Sequence, residues 1–491
     1  MHGMSFTAAP PGHHRAALRL PLLPLLVLVA GCATNPATGQ RQLMMVSESQ
    51  EVSMGQEYAK QIGTEMPPVA NEPLQRYVRE IGTALAARSE RPQLPWSFTV
   101  VDDPVVNAFA LPGGPIYVSR GILAHFNSEA ELAAVLGHEI GHVTGRHSAN
   151  QMSKQQLYGG LLVGAAIFNQ TVAQNAELFQ QGMGLLFLKY GRDQETQADE
   201  LGFRYMARGG YDQRQMAEVF RMLDRTSPSS AEGRPPQWLS THPDPGNRFE
   251  ATERRLARGR DSTATRIDRE RYLRMLDGLV VGENPREGVF VGGARFVHPD
   301  LAFEFTFPTG WRTQNSKQAV AAQEPQGRAL MVFTLAQGTP DQAARAFAGQ
   351  QGIAARDLSV QAGGPSRAVL FQATTAQGQV EGIAAFVAMG SATYRLLCYG
   401  GQGVLQALEA PCRRWIASLA PLRDAQLLAV QPALLRLITT PRAMTVEEVQ
   451  REFPSSLPFE QWLVLNNLQA GQSVPRGTLL KRVVGGVSPG R

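Results

Sequence analysis

The residues whose types and spacing offer the most chemistry are His138-Glu139-Ile140-Gly141-His142. The pattern H-E-x-x-H predicts a helix with two histidines one turn apart on the same face. Two imidazoles so disposed can hold one zinc ion, with Glu139 beside it to take a proton from water. So short a pattern also arises by chance in surface helices, which makes its surroundings decisive. Ser128 and Glu131 form an S-x-x-E capping box at the expected helix start. Leu132, Val135, Leu136, Ile140 and Val143 add an apolar stripe at helical spacing. A buried, rigid helix is therefore expected to carry the histidine face.

Two histidines leave zinc short of a third protein ligand. Downstream, Glu195 and Asp199 are four residues apart and share a helix face. Glu195 is a candidate metal ligand, and Asp199 a candidate acceptor for the free N–H of a ligating histidine. Acids mostly face solvent, but Leu201, Tyr205 and Met206 predict an inward-packed helix, with Glu200 on its wet side. His147 falls off the ligand face by 3.6-residue geometry and reads as structural. Upstream, Asn107-Ala-Phe-Ala-Leu-Pro-Gly-Gly114 leads into a short β-prone stretch, Pro115-Ile116-Tyr117-Val118. Pro115 cannot donate to a ladder, which predicts an edge strand. Such an edge beside a zinc site can receive an extended peptide by strand addition. His242, in a loop rich in Ser, Thr, Pro and Gly, reads from its neighbours alone as exposed.

These segments, together with Ser240-Thr-His242-Pro-Asp-Pro-Gly-Asn-Arg248, resemble in type and order the zinc metallopeptidase family that includes the CAAX prenyl protease, HtpX, Oma and BepA. The resemblance covers about half the chain, from Gln40 to Leu256. It implies a gluzincin site with one zinc per chain held by His138, His142 and Glu195, with Glu139 as general base. It implies Asp199 as the group orienting a ligand, Arg248 as a support of the site, and Gly114, Pro115, Ile116, Tyr117 and Val118 as the strand above the metal. His242 resembles either a transition-state donor or a plug that occupies the open metal position in a latent form. The chain lacks the multiple membrane spans of the prenyl protease and HtpX, which removes any reason to propose prenylated substrates.

The 491 residues carry a formal net charge of only +5 and no Lys/Arg block, so nucleic-acid binding is not indicated. His13, His14, Arg15 and Arg19 precede an apolar run, Leu20 to Ala30, too short to span a bilayer and typical of a secretory leader. Val29-Ala30-Gly31-Cys32 resembles a lipobox, which implies acylation of Cys32, and Ala33 after it favours the outer membrane. Gly159 to Phe168 reads as a core helix or a wall of the cleft. After a boundary near 285–293, Phe303-Glu-Phe-Thr-Phe307 alternates as a strand, and further strand and helix signals follow to Ala420. Cys398 and Cys412 fall in this unit and are a candidate disulfide in an oxidising compartment. The opening Phe307-Pro-Thr-Gly-Trp311 weakly resembles the PsbP/Mog-like fold. The tail weakly resembles a LysM-like module, with Pro441-Arg442-Ala443 in place of the usual Pro-Gly-Asp.

The expected fold is α+β: a leader (1–31), a tether (32–44), a mainly helical zincin-type metalloprotease domain with a short edge sheet (45–285), a PsbP/Mog-like α+β domain (292–425) and a LysM-like module (432–485). The expected function is a lipid-anchored zinc endopeptidase on the periplasmic face of a bacterial envelope. Its expected partners are unfolded or misassembled envelope proteins, with possible peptidoglycan contact through the C-terminal module. The competing reading is a non-catalytic outer-membrane assembly factor or cell-wall-binding lipoprotein that keeps the metal fold as a scaffold. The intact Glu139 argues against it, because a structural site needs ligands and no base.

Overall fold

The computed structural model describes residues 32–162, 190–226, 237–375 and 378–486. The expected leader lies outside these residues, as does the Gly159 to Phe168 run from residue 163 onward. Strand β1 (Cys32–Thr34) pairs antiparallel with β2 (Arg41–Leu43), so the segment expected as a tether forms a hairpin. Helix α1 (Glu48–Glu65) starts on the capping box formed by Ser47 and Gln50. Helix α2 (Glu72–Ala86) buries Leu74, Tyr77, Val78, Ile81 and Leu85, the residues that recur at helical spacing.

Strands β3 (Ser97–Val101), β4 (Ala108–Ala110) and β5 (Pro115–Ser119) form a sheet in the order β3-β5-β4. This order corrects the expectation for Gly114 to Val118. Strand β5 is central, parallel to β3 and antiparallel to β4. Proline is tolerated there because it is the strand's first residue, where a missing N–H costs the least pairing. The edge lying against the H-E-x-x-H helix is β4.

After helix α3 (Arg120–His125) comes that helix, α4 (Glu129–Thr144), buried along its whole length. Ser128 Oγ accepts from Glu131 N at 3.2 Å, while the Glu131 carboxylate reaches Asn127 N at 2.9 Å, one residue before the expected box would close. A cap of this kind contributes about 1 kcal/mol. At the other end, buried Arg91 donates to Val143 O at 2.9 Å. Helices α5 (His147–Leu162), α6 (Arg192–Arg208), α7 (Arg214–Thr226), α8 (Gln237–Thr241), α9 (Pro245–Arg258) and α10 (Arg269–Leu276) follow. Helices α4 and α6 cross at glycines: a Cβ on Gly202 would lie 2.9 Å from His138 N, and one on Gly141 2.9 Å from Ala198 O. That close approach brings the Glu195–Asp199 face onto the histidine face.

A second core begins at β6 (Val289–Val291), β7 (Arg295–His298) and β8 (Phe303–Thr306). These join β16 (Ala420–Pro421) in a sheet ordered β16-β8-β7-β6. Strands β9 (Arg312–Asn315), β10 (Val320–Gln323), β11 (Ala329–Ala336), β12 (Ile353–Leu358), β13 (Ser366–Thr375), β14 (Gly378–Met389) and β15 (Ala392–Gly401) form a larger antiparallel sheet, ordered β12-β13-β14-β15-β11-β10-β9. Helix α11 (Pro340–Ala348) packs Phe347 on Phe371 and Phe386. Helix α12 (Leu405–Ala417) packs Trp415 on Phe307 in the other apolar layer, where a disulfide joins its Cys412 to Cys398 of β15.

The tail pairs β17 (Leu434–Thr439) with β20 (Leu479–Val484), and β18 (Met444–Thr445) with β19 (Ser473–Val474), around helices α13 (Val446–Glu452) and α14 (Phe459–Leu465). Trp462, Leu463, Val446 and Val449 fill its small core. It is stitched to the first core through Leu435, which accepts from Gly278 N and donates to Leu279 O, each at 2.8 Å. Among the described residues no helix is long and apolar enough to cross a membrane.

Candidate metal centre

Helix α4 presents His138 and His142 with their Nε2 atoms 3.0 Å apart. Helix α6 brings Glu195 opposite: its Oε2 is 3.6 Å from His138 Nε2 and its Oε1 3.4 Å from His142 Nε2. A fourth donor arrives from the turn between α8 and α9. His242 Nδ1 lies 3.2 Å from His138 Nε2 and 3.0 Å from Glu195 Oε1. The turn is fixed by His242 N bonding to Trp238 O at 2.7 Å and by left-handed Asp244, with Pro245 opening α9. Donor atoms of all four residues lie within 4.8 Å of one another, and all four residues are buried. His242 is 1% exposed, not the surface loop residue its neighbours suggested.

His138 and Glu195 are held from behind. Asp199 Oδ1 lies 2.9 Å from His138 Nδ1, and Arg248 clamps Asp199 at 2.6 and 2.9 Å while its Nη1 reaches Glu195 Oε2 at 3.1 Å. The Arg248 guanidinium stacks over Phe220 and Trp238. Burial opposes ionisation of Glu195, but His242 and Arg248 outweigh it and hold the carboxyl well below its usual range. Asp199 is likewise lowered, burial being outweighed by Arg248 and His138. Burial, then the charge of His138, pushes His142 well down toward the neutral form that binds metal.

The donor set fits a cation. His138 and His142 each turn Nδ1 outward to a partner, so the lone pairs on their Nε2 atoms face each other across 3.0 Å beside a carboxylate. A shared cation converts that repulsion into attraction. Among the described residues neither oxygen of buried Glu139 has a hydrogen-bond partner, although Oε1 is 3.7 Å from His242 Nε2. A buried carboxylate so placed beside the donor cluster is suited to accept a proton from a reacting group.

Comparison with known proteins agrees with this geometry: residues 72–256 match Peptidase family M48. The matching segment holds all four donors of the cluster. It is 29% identical to the β-barrel assembly-enhancing protease of Escherichia coli over 311 residues, covering 61% of this chain and 59% of that protein. It is 36% identical to the mitochondrial metalloendopeptidase OMA1 of Arabidopsis thaliana over 172 residues, covering 35% of this chain and 33% of that one. The chain thus spans less than two thirds of these relatives. A cyanobacterial PsbP from Synechocystis aligns over 27% of this chain and 98% of its own at 13% identity, with a TM-score of 0.21, too low to carry an argument.

Within the matching segment the structure brings together His138, Glu139, His142, Glu195, Asp199, His242 and Arg248. Glu200 is exposed and pairs with Arg255, on the wet side as expected. The candidate strand is the exception, since β5 is paired on both sides. Asn107 and Leu111 bond to Ser119 and Pro115 of β5, so antiparallel alternation turns the N–H and C=O of Ala108 and Ala110 away from it. Sequence reasoning missed Tyr190, whose ring stacks on His142 at 3.9 Å, and Trp238, stacked on His242 at 4.6 Å. No local pattern distinguishes either from an ordinary core aromatic. His147, read as structural, lies with Nδ1 2.8 Å from His142 Nδ1.

Proposed function

We propose that this protein is a zinc-dependent endopeptidase with one zinc per chain, held by His138, His142 and Glu195. The observation that carries the reading is the unpaired, buried carboxylate of Glu139 beside a cluster of four donors. Bound zinc supplies Lewis acidity toward a scissile carbonyl and toward water. Glu139 takes the proton from the attacking water as the C–O bond forms, then delivers it to the leaving amine as the C–N bond breaks. Asp199 and Arg248 keep His138 oriented throughout. We read His242 as a plug of the open metal position, since its Nδ1 stands among the donor atoms of His138 and Glu195. An extended substrate pairs with the outward groups of Ala108 and Ala110 on β4.

The relative named for β-barrel assembly supports unfolded or misassembled envelope proteins as the substrate class. A bacterial envelope location, with acylation at Cys32 and outer-membrane anchoring, is supported by the apolar run ending in Val29-Ala30-Gly31-Cys32. We assign 45–285 as the peptidase domain, 292–425 as a PsbP/Mog-like packing or binding module, and 432–485 as a LysM-like module able to contact peptidoglycan. The order strand, helix, helix, strand in the tail supports the last of these.

The test compares casein cleavage by wild type and Glu139→Gln at equal zinc content. Expected is loss of cleavage in the variant with zinc retained, because amide replaces base without touching a ligand. Equal cleavage by both would overturn the mechanism, and absence of zinc from protein never exposed to chelator would overturn the metal assignment.

A further inference from the structure

The role of His147 extends beyond its contact with His142. His142 turns Nε2 toward the cluster; with a metal on that nitrogen the ring's proton is on Nδ1, where His147 Nδ1 accepts it across 2.8 Å. The proton of His147 is then on Nε2, 2.8 Å from Gln197 Oε1. The same oxygen accepts from Asn35 Nδ2 at 3.0 Å. Asn35 is 2% exposed and lies in the turn between β1 and β2, well before the start of the M48 match. Asn35 Nδ2 and Gln42 Nε2 also donate to Gly145 O, each at 3.2 Å, and so hold the C-terminal end of α4.

The glycine at 145 is an independent sign of this chain of bonds. Its φ is −73°, which any residue adopts, so its backbone does not call for glycine. Yet a Cβ there would stand 2.5 Å from His147 Nε2 and 2.9 Å from Gln197 Oε1. The space is needed by the bonds that pass it.

We propose that His147 is a positioning residue for the metal centre: it fixes the ring of His142, and Gln197 and Asn35 fix His147, so the N-terminal hairpin supports a metal ligand from outside the catalytic segment. A partner on the far nitrogen of a ligating histidine sets its tautomer and direction, and losing one typically weakens metal binding by about 10- to 100-fold. This inference rests on the zinc reading above.

The test uses the full-length protein and two readouts besides activity. These are the zinc dissociation constant by competition with a chromophoric chelator, and the visible spectrum of the cobalt(II)-substituted protein. His147→Leu is expected to weaken zinc binding by about 10- to 100-fold and to shift the cobalt bands. His147→Asn, whose Oδ1 can accept near the position of the lost Nδ1, is expected to restore most of the affinity. Asn35→Ala and Gly145→Ala should weaken binding in the same direction by a smaller factor. If wild type binds zinc while folded His147→Leu matches it in affinity and cobalt spectrum, the proposal is overturned and the metal assignment stands. His147→Asn as weak as His147→Leu would also overturn it, by reducing His147 to packing. Should His147→Leu not fold, unchanged affinity and spectrum in Asn35→Ala would overturn it. Wild type that takes up no zinc overturns both readings.

Discussion

If His242 is the plug proposed above, this single imidazole decides whether the centre is open. Its Nδ1 lies 3.2 Å from one ligand nitrogen and 3.0 Å from the ligand carboxylate, and its ring is packed against Trp238. If the ring holds the open position nine-tenths of the time, removing it raises the competent fraction about tenfold. His242→Ala should therefore speed casein cleavage or self-cleavage by about that factor at equal zinc occupancy. A loss on the order of 10²-fold would instead identify His242 as a transition-state donor, and an unchanged rate would remove both roles.

At the scale of elements, the crossing of α4 and α6 sets the distance from the histidines to Glu195. Gly137 and Gly202 meet there, where a Cβ on residue 202 would press on backbone at His138 and Gly137 as well as on Met216. Backbone cannot swing aside as a side chain can, so Gly202→Val must part the helices. Overpacking of this kind costs about 1–3 kcal/mol. The expected result is a lower urea midpoint together with weaker zinc binding, read by denaturation and chelator competition on one preparation. Normal zinc affinity in a destabilised variant would mean that the crossing serves stability alone.

At the scale of the whole molecule, the C-terminal unit is fastened to the back of the site through Lys481. This fully buried amine donates to Ala124 O at 2.7 Å, Phe126 O at 2.8 Å and His125 O at 3.3 Å, closing the end of α3 just before the cap of α4. Burial pushes its pKa well down, opposed by the nearby carboxylate of Glu131. Lys481→Met keeps the volume but strands those carbonyls. The expected loss is about 1–3 kcal/mol, with faster hydrogen exchange in 120–127 and in 434–484. Unchanged exchange in both segments would show that apolar contacts at Leu435 suffice to hold the unit.

The sequence by itself determined the elements whose signals are local. Helix α4 was legible from its cap residues and apolar period, because each signal lies within a few turns. The pairing of His138 with His142 was legible for the same reason, being one turn of one helix. Glu195 was a candidate ligand from its helical spacing to Asp199, whereas the role offered for His242 came only through the resemblance of separated motifs. Tertiary structure alone decided what depends on long-range contact. Strand β5 proved central because β3 and β4 flank it, which Pro115 cannot reveal when it stands at a strand's first position. His147 left the ligand face of α4 yet met His142, because the chain turns at left-handed Arg146 and brings the next helix back alongside. Asn35 reached Gln197 across 162 positions of chain, a distance over which no periodicity or cap carries information.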